Sequence, residues 1–137
     1  MARAGAGEPG GPDRRARGRE AEDLAAAFLE ARGFAILDRN HAIKQGEVDL
    51  VAREGDVLCF VEVRSRTSEA QGAPEETVSA AKARRVVAAA TDWAARNGGL
   101  DGEIRFDVVA VTLLEGAPPR LEHFRGAFDA DGRPEPW

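Results

Sequence analysis

The stretch GEVDLVAREGDVLCFVEVRSR, residues 46–66, decides how the fold of this chain is read. Valine, leucine and phenylalanine recur through it and favour strands. A Glu-Gly-Asp segment near its middle supplies the positive φ that a tight hairpin turn requires. The stretch therefore predicts a β-hairpin. Three acids, Glu47, Asp49 and Glu62, interrupt its apolar residues, and buried carboxylates are unfavourable unless something neutralises them.

The position of the turn decides which side chains share a face of the hairpin. We take residues 54–55 as a two-residue loop. In that register Glu47 lies opposite Glu62, and Asp49 lies opposite Phe60. Because side chains alternate along a strand, all three acids then lie on one face. A three-residue loop with a bulge would shift the register by one residue and remove this arrangement.

The acidic face has two interpretations. Like charges directly opposite one another destabilise a hairpin, and a divalent cation such as Mg²⁺ would remove that cost by taking carboxylate oxygens as ligands. The alternative is a solvated face on which Arg53, Arg64 and Arg66 neutralise the acids. Apolar Val51 and Phe60 on the same face indicate that part of it is covered, which favours the metal site.

Two helices are predicted outside the hairpin. Apolar residues at helical spacing predict a first helix over residues 19–32, which Gly33 ends. Ser79 is a typical N-cap for a second helix, and Asn97-Gly98 is a typical stop.

Further strands complete the predicted sheet. Residues 34–40 and 104–114 have strand composition, and residues 118–128 favour a last short edge strand. The predicted fold class is therefore α/β, an α+β arrangement with a mixed sheet, in the order α-β-β-β-α-β.

The chain of 137 residues is long enough for one domain with a substantial core. Residues 1–17 are rich in glycine, alanine, proline and arginine without periodicity, so we expect a disordered basic arm. Residues 18–128 are expected to form the single domain. Residues 129–137 are expected to form a flexible tail.

Composition narrows the classes of function. The net charge of −5 counts against a surface coated with basic residues for nucleic acid, although it is compatible with a local basic patch. The single cysteine, Cys59, excludes an intrachain disulfide and a cysteine zinc cluster. The sequence shows neither a signal peptide nor an apolar run near the roughly 20 residues of a membrane span. We therefore expect a cytoplasmic protein.

Two helical residues are candidates for the acidic face. Glu20 lies at the edge of the apolar stripe of the first helix and could overhang the acids, although an acid in the first turn is also favoured by the helix dipole. Lys82 lies one turn before Val86 on the second helix and could reach a phosphate, although a solvated lysine at a helix edge is common.

The roles of three other residues follow from their surroundings. Asp107 is either a further acid of the site or the partner of nearby basic residues at a strand end. Cys59 points to the face opposite Glu62 and is expected to be a small core residue. Trp93 fits the apolar stripe of the second helix better than a stacking site.

The order of these motifs resembles a known family. Asp49 followed by Glu62-Val63-Arg64 is similar to the PD-(D/E)XK nuclease signature. The resemblance to the YraN-type family of uncharacterised bacterial proteins, regarded as predicted endonucleases, is closer and covers roughly residues 17–128. It rests on five blocks in order: GREAEDLAAAFLEARGFAILDRN, GEVDLVAREGDVLCFVEVRSR, AAKARRVVAAA, RFDVVAV and HFRGAF.

This resemblance implies a restriction-endonuclease-like core that binds Mg²⁺ (or Mn²⁺). Carried over residue by residue, it makes Asp49 and Glu62 metal ligands. Val63 offers its backbone carbonyl, and Glu20 is the acid that completes the site from the helix. Glu47 is a candidate for an additional ligand.

Arg64 departs from the signature, which has lysine at this place. An arginine stays protonated and cannot act as a general base, but it can hold a phosphate or stabilise developing charge. Arg64, Arg66 and Lys82 are therefore the expected contacts to nucleic acid.

Two functions follow. The first is a metal-dependent endonuclease that hydrolyses phosphodiester bonds of DNA or RNA, with branched and single-stranded forms among the expected substrates. The second is a non-catalytic nucleic-acid-binding or scaffolding protein that retains the nuclease fold. A homodimer is compatible with both, since related resolvases act as dimers.

Overall fold

The computed structural model describes residues 12–67, 79–98 and 101–133. These residues form two helices and five strands, which confirms the α+β fold class. The last strand, expected to be short, runs for nine residues. The elements in chain order are α1 (Pro12–Ala31), β1 (Ala35–Ile43), β2 (Gly46–Glu54), β3 (Val57–Arg66), α2 (Ala80–Asn97), β4 (Glu103–Thr112) and β5 (Arg120–Phe128).

The strands form one mixed sheet in the order β1-β2-β3-β4-β5. Strands β3 and β4 are parallel, and the other neighbouring pairs are antiparallel. A parallel pair needs a crossover connection between its strands, and α2 supplies it. The hairpin predicted from residues 46–66 is therefore β2 and β3, at the centre of the sheet.

Both faces of the sheet are covered, so the protein has two apolar clusters. Along β3, Phe60 belongs to the cluster under α2, and its neighbour Val61 belongs to the cluster under α1. Leu29 is fully buried in the α1 layer, and Val86 is fully buried in the α2 layer. Strands covered on both faces read as nearly continuous apolar runs, which explains why residues 46–66 look so apolar.

The ends of the helices mostly follow the sequence signals. Gly33 has a φ of 96°, and the Phe34 amide donates a hydrogen bond to the Leu29 carbonyl, which ends α1. Ser79 caps α2 by accepting a hydrogen bond from the Lys82 amide at 3.1 Å. Gly98 ends α2 in the left-handed conformation.

Helix α1 begins at Pro12 rather than at residue 19. A proline is well suited to the first turn of a helix, where its missing N–H would have no partner. Residues 1–11 of the predicted arm and residues 134–137 of the predicted tail lie outside the described residues. Neither helix of the described segments is long and apolar enough to cross a membrane.

The predicted register of the hairpin is wrong by two residues. Val51 faces Phe60, and Leu50 faces Val61, so the loop consists of residues 55–56 rather than 54–55. Because the error is an even number, the paired residues 50–54 and 57–61 stay on their predicted faces. Glu62 therefore still lies on the same side of the hairpin as Phe60, where Lys82 of α2 reaches it. Glu47 does not, because its neighbour Val48 lies under α2 with Phe60.

The contacts of the Glu54 side chain explain where the turn forms. Its carboxylate accepts hydrogen bonds from Arg105 Nη2 at 2.9 Å and Arg125 Nη2 at 2.6 Å, which keep Glu54 at the end of strand β2. Gly55, with a φ of 60°, then takes the first position of the loop. Arg105 and Arg125 come from distant parts of the chain, so the local sequence could not indicate this preference.

Helix α2 approaches β2 closely at Gly46. This residue is buried, and a Cβ atom there would overlap the backbone carbonyl of Arg85. Glycine is the one residue that permits such an approach of two backbones. The contact sets the distance between α2 and the strand that bears Asp49.

Candidate functional site

Strands β2 and β3 separate at the acidic end of the hairpin. Their paired residues run from Glu54 and Val57 at the turn to Leu50 and Val61. Beyond the last pair, Asp49 Oδ2 accepts a hydrogen bond from the Val63 amide at 2.8 Å. A side-chain carboxylate thus takes the place of a backbone carbonyl at the point where the strands diverge.

Strand β2 also changes its orientation around Asp49. Val48 and Val51 both belong to the apolar cluster under α2 although they are three residues apart. Strict alternation would place them on opposite faces of the sheet. The irregularity lies between them, where it lets the Asp49 side chain point towards β3.

Asp49 and Glu62 form a pair of interacting carboxyl groups. The Glu62 residue is 3% exposed, and Asp49 is half-buried. Burial and the neighbouring Glu62 charge raise the pKa of Asp49 from 3.8 to about 8, although the hydrogen bond from the Val63 amide opposes the shift. Two carboxylates that interact in this way cannot both ionise easily, which favours the protonated form of Asp49.

Two cations reach the same oxygen of Glu62. Arg64 Nη1 lies 3.6 Å from Glu62 Oε2, and Lys82 Nζ lies 3.5 Å from it. The side chains of Arg64 and Lys82 are 34% and 43% exposed, whereas that of Glu62 is 4% exposed. The positive groups therefore lie at the mouth of the site and the acids lie inside it.

The helical acid nearest to the pair is Glu22. Its charge contributes to the raised pKa of Asp49. The pKa of Glu22 is itself raised by burial, against a lowering hydrogen bond from Asn40, and the charge of Glu47 adds to the rise. Glu22 therefore faces the acids from α1.

Glu20 lies elsewhere. It is exposed and lines a cleft of about 580 Å³ together with Thr67 and Leu113. Helical spacing indicates that Glu22 points towards the sheet, because Ala25 and Ala26 lie one turn beyond it and are buried. Glu20, the acid predicted from the sequence, lies two residues before Glu22 on α1.

The remaining candidates lie at the edge of the site or beyond it. Glu47 is exposed and acts on Glu22 through its charge. Arg66 Nε donates a hydrogen bond to Thr112 Oγ1 at 3.2 Å, which ties the end of β3 to β4.

Two carboxylates form the donor set that the site offers to a cation. Within residues 12–67, 79–98 and 101–133, no group of three or more Asp, Glu, His or Cys side chains is arranged to hold a metal ion. Mg²⁺, however, is usually bound through one or two carboxylates and keeps several waters. Asp49 and Glu62, two neighbouring carboxyl groups, fit that requirement.

Asp107 belongs to a separate network. Its carboxylate accepts two hydrogen bonds from Arg105 and one from the Gly126 amide, and it bonds to Nε2 of His123 at 2.9 Å. The His123 ring packs edge-on against Phe34 on the α1 side of the sheet. Of the two interpretations of Asp107, pairing with basic residues is the one that the structure shows.

Cys59 and Trp93 are core residues, as predicted. Cys59 is fully buried in the α1 layer, and burial raises the pKa of its thiol to about 11. Trp93 is 7% exposed, and its Nε1 donates a hydrogen bond to Asp38 Oδ2 at 2.9 Å. Both side chains serve packing rather than chemistry.

Comparison with known proteins identifies the family. The sequence profile of the uncharacterised protein family UPF0102 matches residues 21–111. A UPF0102 protein of Anaeromyxobacter sp. is 71% identical over 133 residues, which cover 97% of this chain and 98% of that protein. A UPF0102 protein of Geobacter sulfurreducens is 47% identical over 108 residues, covering 79% of this chain and 84% of the relative.

The range that the family profile matches spans the positions of both acids of the pair, both neighbouring cations and the helical acid Glu22. These matches also confirm the family resemblance that the sequence blocks indicated. The chain belongs to the uncharacterised protein family UPF0102, the YraN-type group.

Proposed function

We propose that this protein is a metal-dependent nuclease that hydrolyses phosphodiester bonds of DNA or RNA. The observation that carries the proposal is the Asp49–Glu62 pair, two interacting carboxyl groups at the fork between β2 and β3 with two cations at the mouth. Buried acids with strongly shifted pKa values beside cations are typical of functional sites. Packing does not account for them, because an apolar pair would be less costly here.

Asp49 and Glu62 would hold Mg²⁺ or Mn²⁺ through their carboxylates. The Val63 amide already points to Asp49. Because the N–H and C=O groups of an extended residue point to the same side, the Val63 carbonyl faces the same fork and can serve as a third donor. When bound, the metal ion would lower the pKa of a coordinated water and neutralise charge on the phosphate.

Arg64 and Lys82 would hold the scissile phosphate. Each contacts Glu62 at a distance longer than a good hydrogen bond, and each side chain is partly exposed. A phosphate oxygen at the mouth could therefore attract both without leaving Glu62 unpaired. Arg64 stays protonated, so its proposed role is electrostatic.

A second candidate function follows from the same contacts. Glu62 is paired with Arg64 and Lys82, and burial favours the protonated form of Asp49, so the charges of the site can be balanced without a cation. This favours a nucleic-acid-binding or scaffolding protein that keeps the nuclease fold but does not cleave. Nucleic acid is the proposed partner in both cases.

A cleavage assay separates the two functions. Labelled branched, single-stranded and duplex DNA and RNA are incubated with the protein and Mg²⁺ or Mn²⁺, beside Asp49→Asn and Glu62→Gln. We expect metal-dependent cleavage by the wild type and at least about a hundredfold loss in each variant. Cleavage that survives both substitutions would reject the site. Binding to nucleic acid without cleavage by the wild type would select the second function.

A further inference from the structure

Asn40 has an unusual backbone conformation in the middle of strand β1. Its φ is 55°, and among the described residues it is the only residue other than glycine with a positive φ. Asparagine tolerates the left-handed region better than most residues, but the region is still unfavourable in a strand. Strained conformations of this kind tend to occur at functional sites.

The left-handed residue changes the direction of the side chains around it. Four consecutive side chains of β1 bond to the helices, and in an extended strand they would alternate between the two faces. Instead, the first and the last of them bond to α2, Asp38 to Trp93 at 2.9 Å and His41 to Asp92 at 2.8 Å. The two between them bond to α1, Arg39 to Asp23 at 2.7 Å and Asn40 to Glu22 at 3.0 Å.

The Asn40 side chain therefore reaches the acid that faces the site. Its Nδ2 donates a hydrogen bond to Glu22 Oε1. On the sheet, the neighbours Arg39 and His41 pair with Leu50 and Val48, so Asn40 stands beside the position of Asp49. Without its distorted backbone, Asn40 would turn to the face of α2.

We propose that Asn40 is a positioning residue that holds the Glu22 carboxylate towards Asp49 at the site. This inference rests on the proposed function, because it gives Glu22 a place beside the metal-binding pair. An amide donor suits the task, since it fixes one oxygen of Glu22 and leaves the carboxylate charged. Partners that orient groups beside a metal commonly affect metal affinity about 10- to 100-fold.

The neighbouring bond provides a matched control. The ion pair between Arg39 and Asp23 joins the same strand to the same helix. Each of its residues is the direct neighbour of a residue in the Asn40–Glu22 pair. The Asp23 side chain is 71% exposed, and Arg39 belongs to none of the groups assigned to the site. Asp23→Asn therefore weakens the attachment of α1 to β1 but leaves the hydrogen bond between Asn40 and Glu22 in place.

The test is Mn²⁺ binding by the full chain, measured by isothermal titration. Asn40→Gly is the informative variant, because glycine adopts a positive φ readily and should keep the fold. We expect it to weaken Mn²⁺ binding about tenfold and Asp23→Asn to change it less than about twofold. In a Glu22→Gln background, Asn40→Gly should have no further effect.

Equal losses in Asn40→Gly and Asp23→Asn, or no loss in Asn40→Gly, would overturn the inference and leave the proposed function intact. Wild-type protein that binds no Mn²⁺ would instead reject the proposed metal site. In that case the NMR resonance of the Asn40 side-chain amide tests whether Asn40 contacts Glu22. A shift of that resonance in Glu22→Gln supports the positioning contact, and an unchanged resonance overturns it.

Discussion

The Asp49 carboxylate accepts a hydrogen bond from the Val63 amide at the point where β2 and β3 stop pairing. The bond joins two residues that the family signature treats separately, a lone acid and the middle of Glu-x-Lys. It orients Asp49 through the backbone of the strand that carries Glu62. The geometry of the pair is therefore held by the sheet and does not depend on a bound ion.

The raised pKa of Asp49 predicts how stability changes with pH. The folded pKa is about 8 and the ordinary value is 3.8, so the folded state binds a proton that the unfolded state releases between these values. The contribution of Asp49 is fully present below the ordinary value and is lost as the pH rises through about 8. Each unit of the shift corresponds to about 1.4 kcal/mol.

Urea unfolding across this range, in the absence of divalent cations, measures the effect. We expect the free energy of unfolding of the wild type to fall between about pH 5 and pH 8, and the fall to be smaller in Asp49→Asn. Glu47→Gln, at an exposed acid nearby, is the control and should keep the wild-type slope. Parallel slopes in all three proteins would contradict the assignment of the shift to Asp49.

Arg64→Lys should increase metal-dependent cleavage. A lysine at this place can release its proton, whereas arginine cannot, and proton transfer by a positioned group contributes about 10²- to 10⁴-fold in many enzymes. We expect a rise of at least about tenfold in the single-turnover rate. Arg66→Lys, two residues further along the same strand and bonded to Thr112, should leave the rate unchanged. A rate for Arg64→Lys at or below that of the wild type would show that the site does not use a base there.

Lys82→Ala should weaken nucleic-acid binding more than it weakens the fold. Its ion pair with Glu62 is partly exposed at Lys82, so the loss of folding stability should stay near 1 kcal/mol or below. If Lys82 contacts a phosphate, the slope of log K against log salt should fall in magnitude by about 0.9 on duplex DNA.

Arg96→Ala removes the same charge from the other end of α2, where Arg96 pairs with Asp92, and serves as the control. Equal salt slopes for the two variants would mean that Lys82 acts through net charge alone. Fluorescence anisotropy with a labelled duplex, repeated at several salt concentrations, gives both slopes.

Asp107 should be the acid that matters most for the fold. Burial alone would raise its pKa, but hydrogen bonds from His123, Arg105 and the Gly126 amide outweigh burial and hold the pKa below 3.8. The stabilisation is present above that ordinary value and is lost as the pH falls through the lower folded pKa. Asp107→Asn should cost about 3 kcal/mol, the lower end for breaking a buried pair, because Arg105 keeps its bond to Glu54.

Urea unfolding at neutral pH checks the size of this loss, and acid titration checks its pH dependence. Asp23→Asn breaks an exposed ion pair and should cost less than about 1 kcal/mol. Similar losses for the two variants would contradict the structural role of Asp107.

The sequence predicted correctly that Glu62 shares a face with Phe60, but it missed the register of the hairpin. Which residues share a face across β2 and β3 depends only on whether the register is odd or even, so the paired residues kept their faces despite an error of two residues. The turn itself was set by Arg105 and Arg125, which reach Glu54 from β4 and β5. Contacts between residues so far apart in the chain leave no signal in a local pattern.

The contact between Lys82 and the acidic face was easier to predict from the sequence than the position of Glu22, for a physical reason. Lys82 follows the Ser79 cap by one turn, and a cap fixes both the start of a helix and its rotation, so its reach towards the sheet could be judged. Helix α1 begins at Pro12, seven residues before the predicted start at residue 19, and its rotation had no such reference. Glu22 was not predicted, and the buried Ala25 and Ala26 one turn beyond it are the features that show which way it points.

The alternation of side chains along β2 and β3 has a consequence for redesign of this chain. Loop insertions in the β2–β3 turn that displace the pairing by two residues would exchange neighbours but keep every acid on its side of the sheet. A displacement by one would turn Glu62 towards the α1 layer, among residues such as Val61 and Cys59 that are fully buried. Length variants of this turn should therefore fall into two classes that differ by parity, whatever residues the longer loops contain.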